Sequence, residues 1–164
     1  MSYQEWEQTV PSEIKGDSVW NAKAYRRALF LADLAWHDST KLLGDKRTIG
    51  LADQLNRSAG AVSADIEEGY SRGTGRDRAR FYEYALGSAR EARGWYYKGR
   101  YVLGGAVSTH RIQLLTQIIR LLLTMVPDQR GSVLREDSPH YQTGSDADQP
   151  LEYCSNLLNE VPMQ

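Results

Sequence analysis

Apolar residues return at steps of three and four in four stretches of this chain, and no run shows convincing strand alternation. The first stretch runs from about Val19 to Leu43, where Tyr25, Ala28, Leu29, Ala32, Ala35 and Trp36 share a helical face. Asp17 or Ser18 suits its N-cap, and Gly44 its end. The second, from about Gly50 to Glu68, aligns Leu51, Leu55, Ser58, Val62 and Ile66, with small flanking residues that let a neighbouring helix come close. Gly69 is expected to stop it, because glycine takes the left-handed conformation at little cost. The third, from about Asp77 to Leu103, spaces Phe81, Ala85, Ser88, Ala92, Trp95, Gly99 and Val102 as a heptad seam, broken by Gly104-Gly105. The fourth opens at Ser108 or Thr109 and runs to Val126, where Pro127 is expected to end it.

Four such helices joined by short loops predict an all-α, antiparallel up-down four-helix bundle over residues 19–126. The fourth helix has two apolar faces: Ile112, Leu115, Ile119 and Leu122 on one, Leu114, Ile118, Leu121 and Met125 on the other. A helix apolar on nearly every side needs covering on nearly every side, which points to self-association. Outside the bundle stand an acidic N-terminal arm, residues 1–18, and an acidic C-terminal tail, residues 127–164. Much of the tail is polar and holds Gly, Pro, Ser and Asp throughout, as linkers and disordered segments do. At 151–161 a short helix is expected from Leu151, Cys154, Leu157, Leu158 and Val161, docking on the chain's own bundle or on a partner.

A length of 164 residues suits one domain with a real core. The single cysteine excludes an intrachain disulfide. No stretch is long and apolar enough to span a membrane, and MSYQEWEQ does not read as a secretory signal, so a bacterial-type cytoplasmic protein with no membrane partner is expected. The net charge of -1 conceals segregation. Residues 21–126 hold 17 Lys/Arg against 10 Asp/Glu, whereas residues 127–164 hold two against seven. A basic body between acidic ends favours a polyanionic partner; a solvated helical surface with solubilising tails is the plainer alternative.

The stretch SADIEEGYSRGTGRDRARF, residues 63–81, holds the densest chemistry. A phosphate-binding loop there would need a preceding strand and a GK[ST] ending, and has neither. Asp65 and Glu68 share a helix side, yet no histidine stands at ligand spacing, and Cys154 has none nearby. No catalytic residue, cofactor or metal is therefore expected. Glu68, Gly69, Thr74 and Asp77 read instead as a structural corner: Glu68 paired with Arg57, Arg72 or Arg76, and Thr74 with Asp77 as a capping box. Arg72, Arg76, Arg78 and Arg80 crowd that corner and the next helix start, where they oppose the dipole and a bound polyanion would relieve them. Arg90, Arg93, Tyr97, Arg100 and Tyr101 fall on the outer side of the third helix. Guanidinium groups there can meet phosphates while tyrosines stack on bases, or the same face can be a subunit interface.

The run IGLADQLNRSAGAVSADIEEGYSR, residues 49–72, resembles the second helix of the bacterial four helix bundle protein family. That family takes in the 23S ribosomal RNA intervening-sequence proteins and the accessory variability determinants of diversity-generating retroelements. Gly50-Leu51, Gln54-Leu55, Arg57, Ala59, Ala64, Ile66, Glu68-Gly69 and Arg72 carry the likeness, with Tyr25-Arg26-Arg27-Ala28 and Arg80-Phe81; Asn56, Ser63, Asp65 and Glu67 depart from it. The resemblance implies a four-helix bundle assembled as a homopentamer, with no assigned catalysis. Its retroelement branch implies a basic pentamer that binds nucleic acid and a reverse transcriptase. The function expected is thus a non-enzymatic accessory protein binding RNA or DNA through Arg57, Arg72, Arg76, Arg78, Arg90, Arg93, Arg100, Tyr97 and Tyr101. The alternative is a scaffold oligomer using the same face for protein partners.

Overall fold

The computed structural model describes residues 2–130 and 157–163. Every element among them is helical. Two short helices, α1 (Tyr3–Thr9) and α2 (Ser12–Lys15), and a 3-10 turn (Ser18–Asn21) lead into four long ones. These are α3 (Lys23–Leu43), α4 (Ile49–Tyr70), α5 (Gly75–Leu103) and α6 (Gly105–Arg130). Each long helix packs on the next, and α6 also meets α3. A further helical turn covers 157–159.

Helix ends depart from the sequence reading where tertiary contacts override local signals. Asp17 caps the 3-10 turn through the Val19 amide rather than α3, which starts only after Ala22. Gly69 does not stop α4: it lies buried inside the helix. A Cβ there would sit 2.8 Å from the Tyr82 ring, so its value is close approach to α5, not a left-handed turn. The one described glycine with positive φ is Gly104, at 87°, and it alone separates α5 from α6. Pro127 lies within α6, and the last turn is held from outside. Arg78 donates to Gln129 at 3.2 Å, Arg130 pairs with Glu83 at 2.7 Å, and Gly75 lies so close to the Gln129 carbonyl that no Cβ would fit.

The core also runs along different stripes. On α5, Ala85, Ala92 and Gly99 are buried, and so is a second flank of Tyr82, Leu86, Ala89, Tyr96 and Leu103, while Phe81, Ser88, Trp95 and Val102 are half-buried. A helix wedged between two neighbours buries more than one seam. Trp36, read as inward, is 71% exposed, since α3 buries Leu31, Leu34, Asp38 and Leu42 instead. Both apolar faces of α6 are largely covered within the chain: Leu114, Leu115, Ile118, Ile119 and Leu122 are buried. That helix therefore does not by itself demand a second copy.

The acidic start of the chain closes one side of the core. Ser2 and Glu5 form a capping box for α1. They aim Trp6 inward, where it is almost wholly buried against Tyr3, Trp20 and Phe30. Its indole donates to Asp33 at 2.6 Å.

Candidate nucleic-acid interface

The α4–α5 corner is an ion-paired joint with two arginines turned into it. Arg72 pairs with Glu68 one turn earlier, and its guanidinium lies 4.4 Å above the Phe81 ring. Arg78 reaches back to the Arg72 carbonyl at 2.9 Å as well as across to α6. Thr74 caps α5 by accepting from the Asp77 amide, and its hydroxyl donates to the Asp77 carboxylate at 2.8 Å. Arg76 and Arg80 stay exposed at the first turn, with Arg80 near the Phe81 and Tyr84 rings. Asp65 is separate from this joint. It accepts from Ser88 at 3.3 Å, and burial, with help from Glu68, raises its pKa. Among the described residues no group of three or more His, Cys, Asp or Glu could hold a metal ion.

The other arginines and tyrosines expected at the interface spread along α5 rather than converge. From Arg76 to Tyr101 the helix rises about 37 Å. Arg90, Tyr97 and Tyr101 are exposed, the last at 83%. Arg93 is half-buried and turns toward α6, where it meets Thr116 at 3.4 Å. Arg100 lies between two rings, 4.0 Å from the Tyr97 centroid and 4.2 Å from Tyr101, and also donates to the Tyr97 carbonyl. Such stacking orients the guanidinium and rigidifies both tyrosines. Arg57 stands apart, exposed on α4. The structure thus offers an elongated charged and aromatic strip, with Arg72 and Arg78 serving as its internal bracing.

A second cluster went unread in the sequence. Arg111 on α6 is entirely buried and forks onto Asp38 of α3, its Nε at 2.8 Å and a terminal nitrogen at 3.2 Å. Tyr96 of α5 donates to the same carboxylate at 3.0 Å. Burial, reinforced by the Asp38 charge, holds the Tyr96 hydroxyl well above its ordinary pKa. His110 accepts from Arg111 at 2.9 Å and contacts the Leu157 carbonyl at 2.6 Å. The signal available was a charged residue inside an apolar run in each helix, Asp38 among Leu34, Ala35 and Leu42, and Arg111 among Val107, Leu114 and Leu115. Of the expected 151–161 helix, Leu151 and Cys154 lie outside the described residues, Leu157 is buried, and Leu158 and Val161 are half-buried.

The chain is thus an all-helical protein with a basic, tyrosine-bearing helix and a buried polar cluster. It belongs to the 23S rRNA-intervening sequence protein family, whose model matches residues 21–124. Among solved structures it is similar to a protein of unknown function from the S23 ribosomal protein family of Bacteroides thetaiotaomicron VPI-5482. The two share 19% identity at a TM-score of 0.58, over 63% of this chain and 97% of the other, a likeness of fold. No curated protein matches the chain. No helix among the described residues is long and apolar enough to cross a membrane.

Proposed function

We propose that this protein is a non-enzymatic, cytoplasmic accessory protein that binds RNA or DNA along the outer side of α5. The observation that carries this reading is the helix itself: seven Lys/Arg against three Asp/Glu, with Tyr84, Tyr97 and Tyr101 exposed among them. Phosphate neutralisation supplies affinity, and tyrosine faces suit unpaired bases. Arg76 and Arg90 contact phosphate in this reading, Arg57 extends the contact onto α4, Arg72 and Arg78 brace the corner, Arg93 ties α5 to α6, and Arg100 presents Tyr97 and Tyr101. Charge reversal at Arg76 and Arg90 together is expected to weaken single-stranded RNA binding at low salt by about tenfold or more, with helicity unchanged. Fluorescence anisotropy checks this; undiminished binding would remove α5 as the site.

In the same proposal the four long helices form an antiparallel up-down bundle over residues 19–126, flanked by the acidic arm and tail, and the bundle assembles as a homopentamer. Trp36 and Leu43, 71% and 56% exposed and seven residues apart on one side of α3, supply apolar surface for that assembly. Light scattering is expected to return five times the chain mass, and the mass of a single chain would contradict it. A reverse transcriptase is the protein partner that the sequence resemblance suggests; co-purification with such an enzyme tests it.

A second reading has its own support. The stack of Tyr97, Arg100 and Tyr101 is of the kind enriched where proteins meet, which favours a scaffold that binds protein and no nucleic acid through this face. Absence of RNA and DNA binding at low salt selects it.

A further inference from the structure

Residues 157–163 are fastened over the buried cluster, with Leu158 and Val161 packed against the core. The Leu157 side chain is buried. The Leu157 carbonyl meets His110 Nε2 at 2.6 Å, and the Pro162 carbonyl accepts from Arg111 at 3.0 Å. Met163 closes over a small space bounded by His37, Asp38, Lys41 and Leu103. Beside the segment lies an open cavity of about 480 Å³, lined by Thr109, His110, Gln113, Leu157 and Glu160 among others.

The chemistry of these bonds fixes the state of His110. An arginine can only donate, so Nδ1 must accept from Arg111, and the ring proton must sit on Nε2, where it is donated to the Leu157 carbonyl. One neutral tautomer makes both bonds. The protonated ring would carry an N–H on Nδ1 aimed at the Arg111 guanidinium, two donors and two cations face to face.

We propose that His110 is a proton-operated latch for residues 157–163: the segment stays docked while the imidazole is neutral and leaves as the ring takes up a proton. The groups facing the ring divide, and burial decides between them. Arg111 beside it opposes protonation, while Asp38 from α3 is already engaged by Arg111 and by Tyr96 from α5. Glu160 of the docked segment lines the same cavity and is exposed to solvent. Burial, with Arg111 adding to it, outweighs the Leu157 carbonyl bond and the Asp38 charge, which both favour the proton, and pushes the docked His110 down to about 4. Once the segment departs, relief of that burial returns the ring toward its ordinary value of about 6.5. The sign follows: the undocked state binds the proton more readily, so docking is at full strength above about pH 6.5 and weakens as pH falls toward 4. Between pH 7.5 and 5.5 the docking constant drops about tenfold.

Nuclear magnetic resonance on the full chain tests this through the Met163 methyl and the His110 ring. Met163 is expected to move from docked toward free positions between pH 7.5 and 5.5 in the wild type. It should stay put in His110→Gln, whose amide can accept from Arg111 and donate to Leu157 without titrating. The ring of His110 should titrate lower in the wild type than in Leu157→Asn, which loosens the segment and frees the ring. A Met163 signal unmoved by pH, the same pH response in His110→Gln, or equal His110 midpoints in the wild type and Leu157→Asn would each overturn the latch.

Discussion

Asp38→Ala is expected to lower the free energy of unfolding by about 3–5 kcal/mol, as removal of one member of a buried ion pair does. The reason lies in what remains. Arg111 has no exposed surface, and Asp38 supplies its only carboxylate partner among the described contacts, at 2.8 and 3.2 Å. Deleting the carboxylate strands a cation in the core and also orphans the Tyr96 hydroxyl, which donates to the same group. The loss should be much smaller in the double replacement Asp38→Leu with Arg111→Met, where no charge is left to bury. Urea melts of the three proteins measure this. A single variant within about 1 kcal/mol of wild type would mean that water reaches Arg111 and that the cluster is not sealed.

Trp6→Ala should be comparably severe, at about 3–5 kcal/mol, from lost burial plus the cavity left behind. The indole is 1% exposed, packs on Tyr3, Trp20 and Phe30, and donates to Asp33. For a chain of this size the melting temperature should fall by about 10 °C or more. A variant that melts like wild type would show α1 to be a loose appendage rather than part of the core.

Both predictions concern features that pattern reading passes over. The periods of α3 to α6 and the break at Gly104 were legible, because amphipathic spacing and glycine act locally. Thr74 and Asp77 were legible for the same reason: a cap is written within four residues. The side each helix buries was less so. Trp36 and Trp95 fit the spacing as well as Leu34 and Tyr96 do, and only the positions of the neighbouring helices choose between them. Arg111 and Asp38 lie 73 residues apart, so neither announces the other. Trp6 was hidden in a segment whose acidic composition suggested solvent, although Ser2 and Glu5 spell a capping box just ahead of it.

The candidate interface shows the same division. That α5 is rich in Arg and Tyr can be read from the chain, but not which arginines the fold keeps for itself. Arg72 and Arg78 are drawn into the corner by Glu68, Phe81 and Gln129, and Arg100 is held by two tyrosines, whereas Arg76 reaches solvent at the helix start. An outer-face arginine and a bracing one look alike in sequence. They differ in what the next helix brings within reach.

The central claim, that the basic strip of α5 serves a polyanion, is tested most directly by titrating the full chain against fluorescent single-stranded RNA at about 50 and 200 mM salt. Binding is expected at the lower concentration, with a steep loss at the higher, because several phosphates are neutralised at once. No binding at the lower concentration, or an affinity that ignores salt, would contradict it.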